Sequence, residues 1–160
     1  MSESDAPASN ALPLTNFYAI TDDIGTAGQP RPEQFALIAE AGYQTVVNLA
    51  LPDSEHAIPD EGSIVTGLGM RYVHIPVQFD APTLDDLRAF TGILQGLSGT
   101  RVLVHCVVNA RVSAFVYLYL RHVRALPELQ CRTPLLDRWQ PQMDDVWSRF
   151  IAQPGAALES

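Results

Sequence analysis

The chain is short of positive charge and of cysteine. It has no lysine: all its basic residues, ten in number, are arginine, set against 18 carboxylates for a net charge of −8 over 160 residues. A field of that sign repels nucleic acid and anionic lipid surfaces, and no basic stripe offsets it. Cys106 and Cys131 are the only thiols, too few for a disulfide framework. A reduced, cytoplasmic setting is the expectation that follows. No run approaches the roughly 18 apolar residues of a bilayer span, so neither a membrane nor nucleic acid is expected as a partner. The opening MSESDAPASNALPLTN lacks the apolar region of a secretory signal. His56, His74, His105 and His122 are scattered without ligand spacing, which argues against zinc, and no cofactor is expected. Repeats, low-complexity blocks and a second domain are also missing.

What is present suits a single domain. A hydrophobic share of 47% in a chain of this length can bury a proper core. Residues 1–13 read as a flexible tail, 14–153 as the domain and 154–160 as a C-terminal tail. Alternation and β-branched content predict strands near Phe17–Thr21, Thr45–Leu49, Tyr72–Val77 and Val102–His105. Helical patterns fall between them: Pro32–Ala41, opening on a tolerated proline, a weaker Glu61–Leu68, and Leu84–Leu97, where Thr83 and Asp86 make a capping pattern. Val112–Val123 is apolar nearly all round and is expected as a buried central helix. A proline-punctuated stretch from Pro127 to Pro141 precedes an amphipathic helix near Met143–Ala152. Strands alternating with helices imply an α/β fold, a mostly parallel sheet covered on both faces. In such sheets ligands bind beyond the carboxyl ends of the strands.

One segment concentrates chemistry at such an end. In VLVHCVVNARVSAF, residues 102–115, an apolar strand runs into His105 and Cys106, crosses a short loop to Arg111 and continues as a helix. The loop amides and the helix N-terminus form an anion cradle, to which Arg111 adds a planar two-pronged grip. The same field favours thiolate over thiol at Cys106. Val107, Val108, Asn109 and Ala110 complete the loop as candidate phosphate-binding residues, with His105, Arg111 and Ser113.

This stretch resembles the signature of cysteine-dependent protein phosphatases: His-Cys, five residues, then Arg followed by Ser or Thr. Here only four residues separate Cys106 from Arg111, the loop has no glycine, and Ser113 stands two places after Arg111. The shortened Cys-to-Arg loop has the length used by rhodanese-like sulfurtransferases, whose cup holds a transferred sulfur. Upstream, GQPRPEQFALIAEAGYQTVVNLALPDSE and MRYVHIPVQFDAPTLDDLRAF extend the likeness over roughly residues 16–125. In that order they resemble the bacterial dual-specificity-like phosphatases of the protein tyrosine phosphatase superfamily, and among them the phosphatase-like domain found beside beta-lactamase-like hydrolases.

The resemblance implies that Cys106 is the nucleophile of a thiophosphoryl intermediate and that Arg111 and the loop amides stabilise the equatorial oxygens. It also implies that His105 helps to hold the thiolate; the bland reading is a packed histidine. Asp80, in the QFDAPT loop after a strand, is the candidate general acid. Asp85 and Asp86 compete with it, but acidic residues in a first helical turn have a structural explanation. Asn109 tolerates a left-handed backbone where the family often has glycine. Ser113 either donates to the thiolate or caps backbone groups, Gln29 lines the mouth or merely turns the chain, and Cys131 is a packed thiol or a resolving partner for oxidised Cys106.

The expected activity is a phosphomonoesterase acting on a phosphorylated protein or small-molecule phosphate, most readily phosphotyrosine or an aryl phosphate. Sulfur transfer and a phosphate-binding module of low turnover are the alternatives. A guanidinium of Arg111 within hydrogen-bonding reach of the anion site is expected on the catalytic reading; one turned into solvent or an unrelated salt bridge would defeat it.

Overall fold

The computed structural model describes residues 12–158. A five-stranded sheet runs in the order β1-β2-β5-β3-β4, built from β1 (Tyr18–Ala19), β2 (Ile24–Ala27), β3 (Thr45–Asn48), β4 (Arg71–His74) and β5 (Val102–His105). All neighbours are parallel except the β1–β2 edge, where Tyr18 faces Thr26. β5 lies at the centre, with Val104 opposite Thr26 on one side and Val47 on the other. TVVN and VLVH are buried along their whole lengths, as strands covered on both faces must be.

The helices are α1 (Phe35–Glu40), α2 (Glu61–Gly67), α3 (Leu84–Gly96), α4 (Ala110–Leu118), α5 (Pro134–Trp139) and α6 (Asp145–Ile151). On one face α4 packs with α3 and α6, burying Phe115, Val112, Leu87, Phe90, Trp147 and Phe150 with Val47, Val102 and Val104. On the other, Phe35 and Ile38 of α1 and Val65 of α2 pack with Val46 and Leu103. α3 shows its periodicity plainly: Leu87, Phe90, Thr91 and Leu94 are buried, and the Thr83 hydroxyl accepts the Asp86 N–H. α4 needs no polar stripe because both of its sides are covered, and eight of its residues are buried.

Several elements differ from the sequence reading. The expected first strand shrinks to β1, while β2 was not anticipated; four residues with a central glycine give no alternation to read. The helix after the Cys106 loop starts at Ala110 and changes at Tyr119 into a π-helical turn reaching Val123. The proline-rich stretch contains α5, whose Pro134 occupies the first turn and whose Thr133 hydroxyl accepts the Leu136 N–H. The expected C-terminal tail is folded as far as Leu158. Gly155–Leu158 form a 3-10 turn, the Ala157 carbonyl accepts from Arg88 Nε at 3.2 Å, and Leu158 packs on the core. Of the expected N-terminal tail, residues 1–11 lie outside the described residues, and the Pro13 carbonyl accepts from Gln34 Nε2 at 2.8 Å.

Phe115 stacks on Phe150 with ring centroids 5.3 Å apart and meets Phe90 edge-on at 5.6 Å. Phe115→Ala should lower the unfolding free energy by roughly 3–5 kcal/mol, measured as a shifted urea midpoint; an unchanged midpoint would contradict this packing.

Candidate active site

Strand alternation divides the two residues at the end of β5. His105 points to the α1 face, where its ring meets Phe35 edge-on at 6.4 Å, and Cys106 joins the α4 face, packed in the same cluster as Val104 and Val112. The thiol is 1% exposed. The Cys106 N–H bonds the Ala27 carbonyl at 3.3 Å, continuing the ladder one step past the strand.

From Cys106 to Asn109 each loop carbonyl is engaged. His105 Nδ1 is 3.2 Å from the Cys106 oxygen. The Gln29 N–H donates to the Val107 carbonyl at 2.9 Å, Asn16 Nδ2 donates to Val108 at 2.9 Å, and the Ser113 N–H to Asn109 at 3.0 Å. The N–H groups of Val107, Val108, Asn109, Ala110 and Arg111 find no acceptor among the described residues. Asn109 takes φ 80°, ψ 8°, left-handed, immediately before the right-handed first turn of α4. Such a left–right pair of residues folds successive amides into an anion-binding nest. Its side chain is pinned: Nδ2 donates to the Asn16 carbonyl at 2.8 Å and to Thr26 Oγ1 at 3.0 Å, and Oδ1 accepts from Ser113 Oγ at 3.1 Å. The Ser113 hydroxyl also lies 2.6 Å from that of Thr133. Its bonds brace the loop from behind and do not reach toward Cys106.

Arg111 is 6% exposed. Nη1 donates to the Val77 carbonyl at 2.8 Å, the guanidinium sits 5.8 Å from the centre of the Phe79 ring, and the buried Nε has no partner among the described residues. The side chain is therefore folded inward, out of solvent and with no salt bridge among the described residues, and its Nε is a buried donor left over. The carbonyl that Nη1 binds immediately precedes the turn that carries Asp80, closed by the Ala81 N–H on the Gln78 carbonyl. Trp147 Nε1 donates to the Phe79 carbonyl at 2.6 Å, so this turn is held immediately before Asp80. Asp80 itself is exposed. Asp85 is engaged by Arg88 at 3.8 Å, and Asp86 lies in the capped first turn of α3.

Behind the loop is a buried polar chain. Glu61, 2% exposed at the start of α2, places Oε2 2.5 Å from His105 Nε2 and accepts from Gln29 Nε2 through Oε1 at 3.0 Å. Gln29 thus holds the loop, and does not line its mouth. Glu61, Thr26, Asn16 and Trp147 escaped the sequence reading. An acidic residue opening a helix has an adequate explanation in the helix dipole, and nothing in the spacing ties Glu61 to His105. Cys131 is fully buried, its Sγ facing the carbonyls of Leu126 and Pro127, and burial pushes its thiol above the ordinary value. That is a packed cysteine.

Beside the loop lies an open cleft of about 390 Å³ lined by Phe79, Val108, Ala110, Leu135, Arg138, Trp139 and Gln142. Phe79 and Val108 are 45% and 48% exposed, and Phe79 stacks on Trp139 at 5.9 Å. A larger cavity of about 550 Å³ sits at the amino end of β2, where Arg124 pairs with Asp23 and Arg132 with Asp137. It contains no cysteine or histidine and lies away from the carboxyl ends of the parallel strands. Among the described residues no helix is long and apolar enough to cross a membrane.

This geometry has close parallels among solved proteins. A protein of Shewanella putrefaciens CN-32, described in provisional terms as a phosphatase (DUF442), is 35% identical with a TM-score of 0.80, over 89% of this chain and 92% of that one. TpbA of P. aeruginosa, solved in complex with pTyr, shares the fold at 17% identity and a TM-score of 0.67, over 90% and 88% of the two chains. A beta-lactamase hydrolase-like protein of Xylella fastidiosa (strain Temecula1) is 30% identical over 95 residues, 58% of this chain and 22% of that protein. The chain thus spans about a fifth of the length of that curated relative. The fold is shared with TpbA and with kinase associated phosphatase. The chain belongs to the family of the beta-lactamase hydrolase-like protein, phosphatase-like domain, which matches residues 16–119.

Gly28 tests the loop geometry, because a Cβ there would lie 2.5 Å from the Val107 carbonyl oxygen. Gly28→Ala should displace that peptide and weaken orthovanadate binding by on the order of tenfold or more, with a far smaller effect on thermal unfolding. Unaltered vanadate affinity would show that the Val107 peptide takes no part in the anion site.

Proposed function

We propose that the protein is a cysteine-dependent phosphomonoesterase, with phosphotyrosine or another aryl phosphate as substrate. The observation that carries this reading is the run of unpaired amides from Val107 to Arg111, adjoining Cys106 and a buried arginine with an unpartnered Nε. An array of fixed donors at the N-terminus of a helix suits a dianion and stabilises the charge that develops on its equatorial oxygens.

In the first step the Cys106 sulfur attacks phosphorus, an S–P bond forms, and the ester P–O bond breaks. Asp80 delivers its proton to the departing oxygen. In the second step water attacks the thiophosphoryl group, Asp80 takes a proton from it, and thiolate and inorganic phosphate are released. The hydrogen bond from Arg111 to Val77 ties the arginine to the chain that presents Asp80. Phe79 and Trp139, in the adjoining cleft, offer aromatic faces to an aryl leaving group. The pTyr complex of TpbA supports that choice by likeness of fold. Sulfur transfer is set aside, because that chemistry has no use for an acid-bearing turn coupled to the arginine.

Purified protein should hydrolyse p-nitrophenyl phosphate, and Cys106→Ser should abolish turnover; normal turnover by that variant would overturn the mechanism. Asp80→Asn should cost roughly 10²–10⁴-fold with poor leaving groups and much less with p-nitrophenol. A loss independent of the leaving group would place the acid elsewhere. Arg111→Lys should lower kcat by about 10²–10³-fold, since an ammonium has no planar fork; kinetics like the parent's would remove Arg111 from the site.

A further inference from the structure

The proposed reaction uses neither Glu61 nor the ring of His105, yet both are buried. The Cys106 carbonyl, 3.2 Å from Nδ1, can only accept, so Nδ1 is the donor of that bond. On the far side of the ring Glu61 Oε2 stands 2.5 Å from Nε2, while Oε1 accepts from Gln29 Nε2 at 3.0 Å. With both ring nitrogens engaged and both residues buried, the ring is held in one orientation.

The pair cannot act on the sulfur directly across the sheet, because alternation puts the His105 ring on the α1 face and Cys106 on the α4 face. It can act through the peptide that joins Cys106 to Val107. A peptide is a conjugated unit, so a donor on its carbonyl polarises its N–H, and hydrogen bonds in a chain reinforce one another. The Val107 N–H is the first of the unpaired amides of the loop.

We propose that Glu61 is a positioning residue of the anion site: its carboxyl group holds the His105 ring so that Nδ1 donates to the Cys106 carbonyl, His105 polarises that carbonyl, and the Val107 N–H of the same peptide becomes a stronger donor to the bound oxyanion. This rests on the reading of the loop as an oxyanion cup. Gln29 extends the arrangement to the next peptide, since its side chain holds Glu61 while its own N–H bonds the Val107 carbonyl at 2.9 Å. α2 and the turn before α1 thus bear on the first two peptides of the cup from behind.

The test combines ring-nitrogen NMR of the ¹⁵N-histidine-labelled protein with tungstate titration of the parent, Glu61→Ala and Glu61→Gln. In the parent, Nδ1 of His105 should carry a ring proton; in Glu61→Ala tungstate binding should weaken several-fold while the thermal transition stays cooperative, and Glu61→Gln, which still reaches the ring, should restore part of it. A parent His105 with no proton on Nδ1 overturns the proposal, and this needs no variant to fold. So does undiminished tungstate affinity in a folded Glu61→Ala, which leaves the oxyanion cup itself intact. Failure of the parent to bind tungstate at all would overturn the cup along with the proposal.

Discussion

The site depends on the engagement of the loop carbonyls from Cys106 to Asn109 on the rear of the loop. A trans peptide points its C=O and N–H in opposite directions, so a carbonyl tied backward turns the following amide forward. Four unrelated groups do the tying: an imidazole, the amide of Gln29, the side chain of Asn16 and the first turn of α4. The amides are left as an array whose orientation was fixed when the protein folded. On the proposed reading no reorganisation is needed when an anion arrives, and their dipoles act at full strength.

The loop has four residues between cysteine and arginine, and no glycine. Asn109 meets the left-handed requirement, and its side chain is held by Asn16, Thr26 and Ser113. The arginine enters through the first turn of a helix buried on all sides, which leaves its guanidinium little choice of direction. Its bond to Val77 and that of Trp147 to Phe79 make the Asp80 turn part of the same assembly. The proposed nucleophile and anion donors, on one continuous segment, are thus cross-linked by hydrogen bonds to the turn that carries the candidate acid.

Much of this was legible in the chain. The parallel sheet and the buried central helix follow from runs such as VLVH and VSAFVYLYL, and the place of the loop between them from His-Cys and Arg. What escaped did so for physical reasons. β2 is too short and too rich in small residues to show a period, and α5 opens on a proline inside a stretch that reads as loop. Asn16, Thr26, Glu61 and Trp147 reach the loop only through the tertiary fold. Glu61 lies 44 positions from the histidine it binds, and its place at a helix start already satisfies the dipole. Ser113 was weighed between two roles that only its hydrogen bonds separate: they run to Asn109 and Thr133.

The most direct measurement is a crystal structure of the protein soaked with tungstate. The anion should lie against the Cys106 sulfur, with its oxygens within hydrogen-bonding distance of amides between Val107 and Arg111 and of the Arg111 guanidinium. A tungstate bound elsewhere, with those amides unoccupied and Arg111 turned away, would contradict the account.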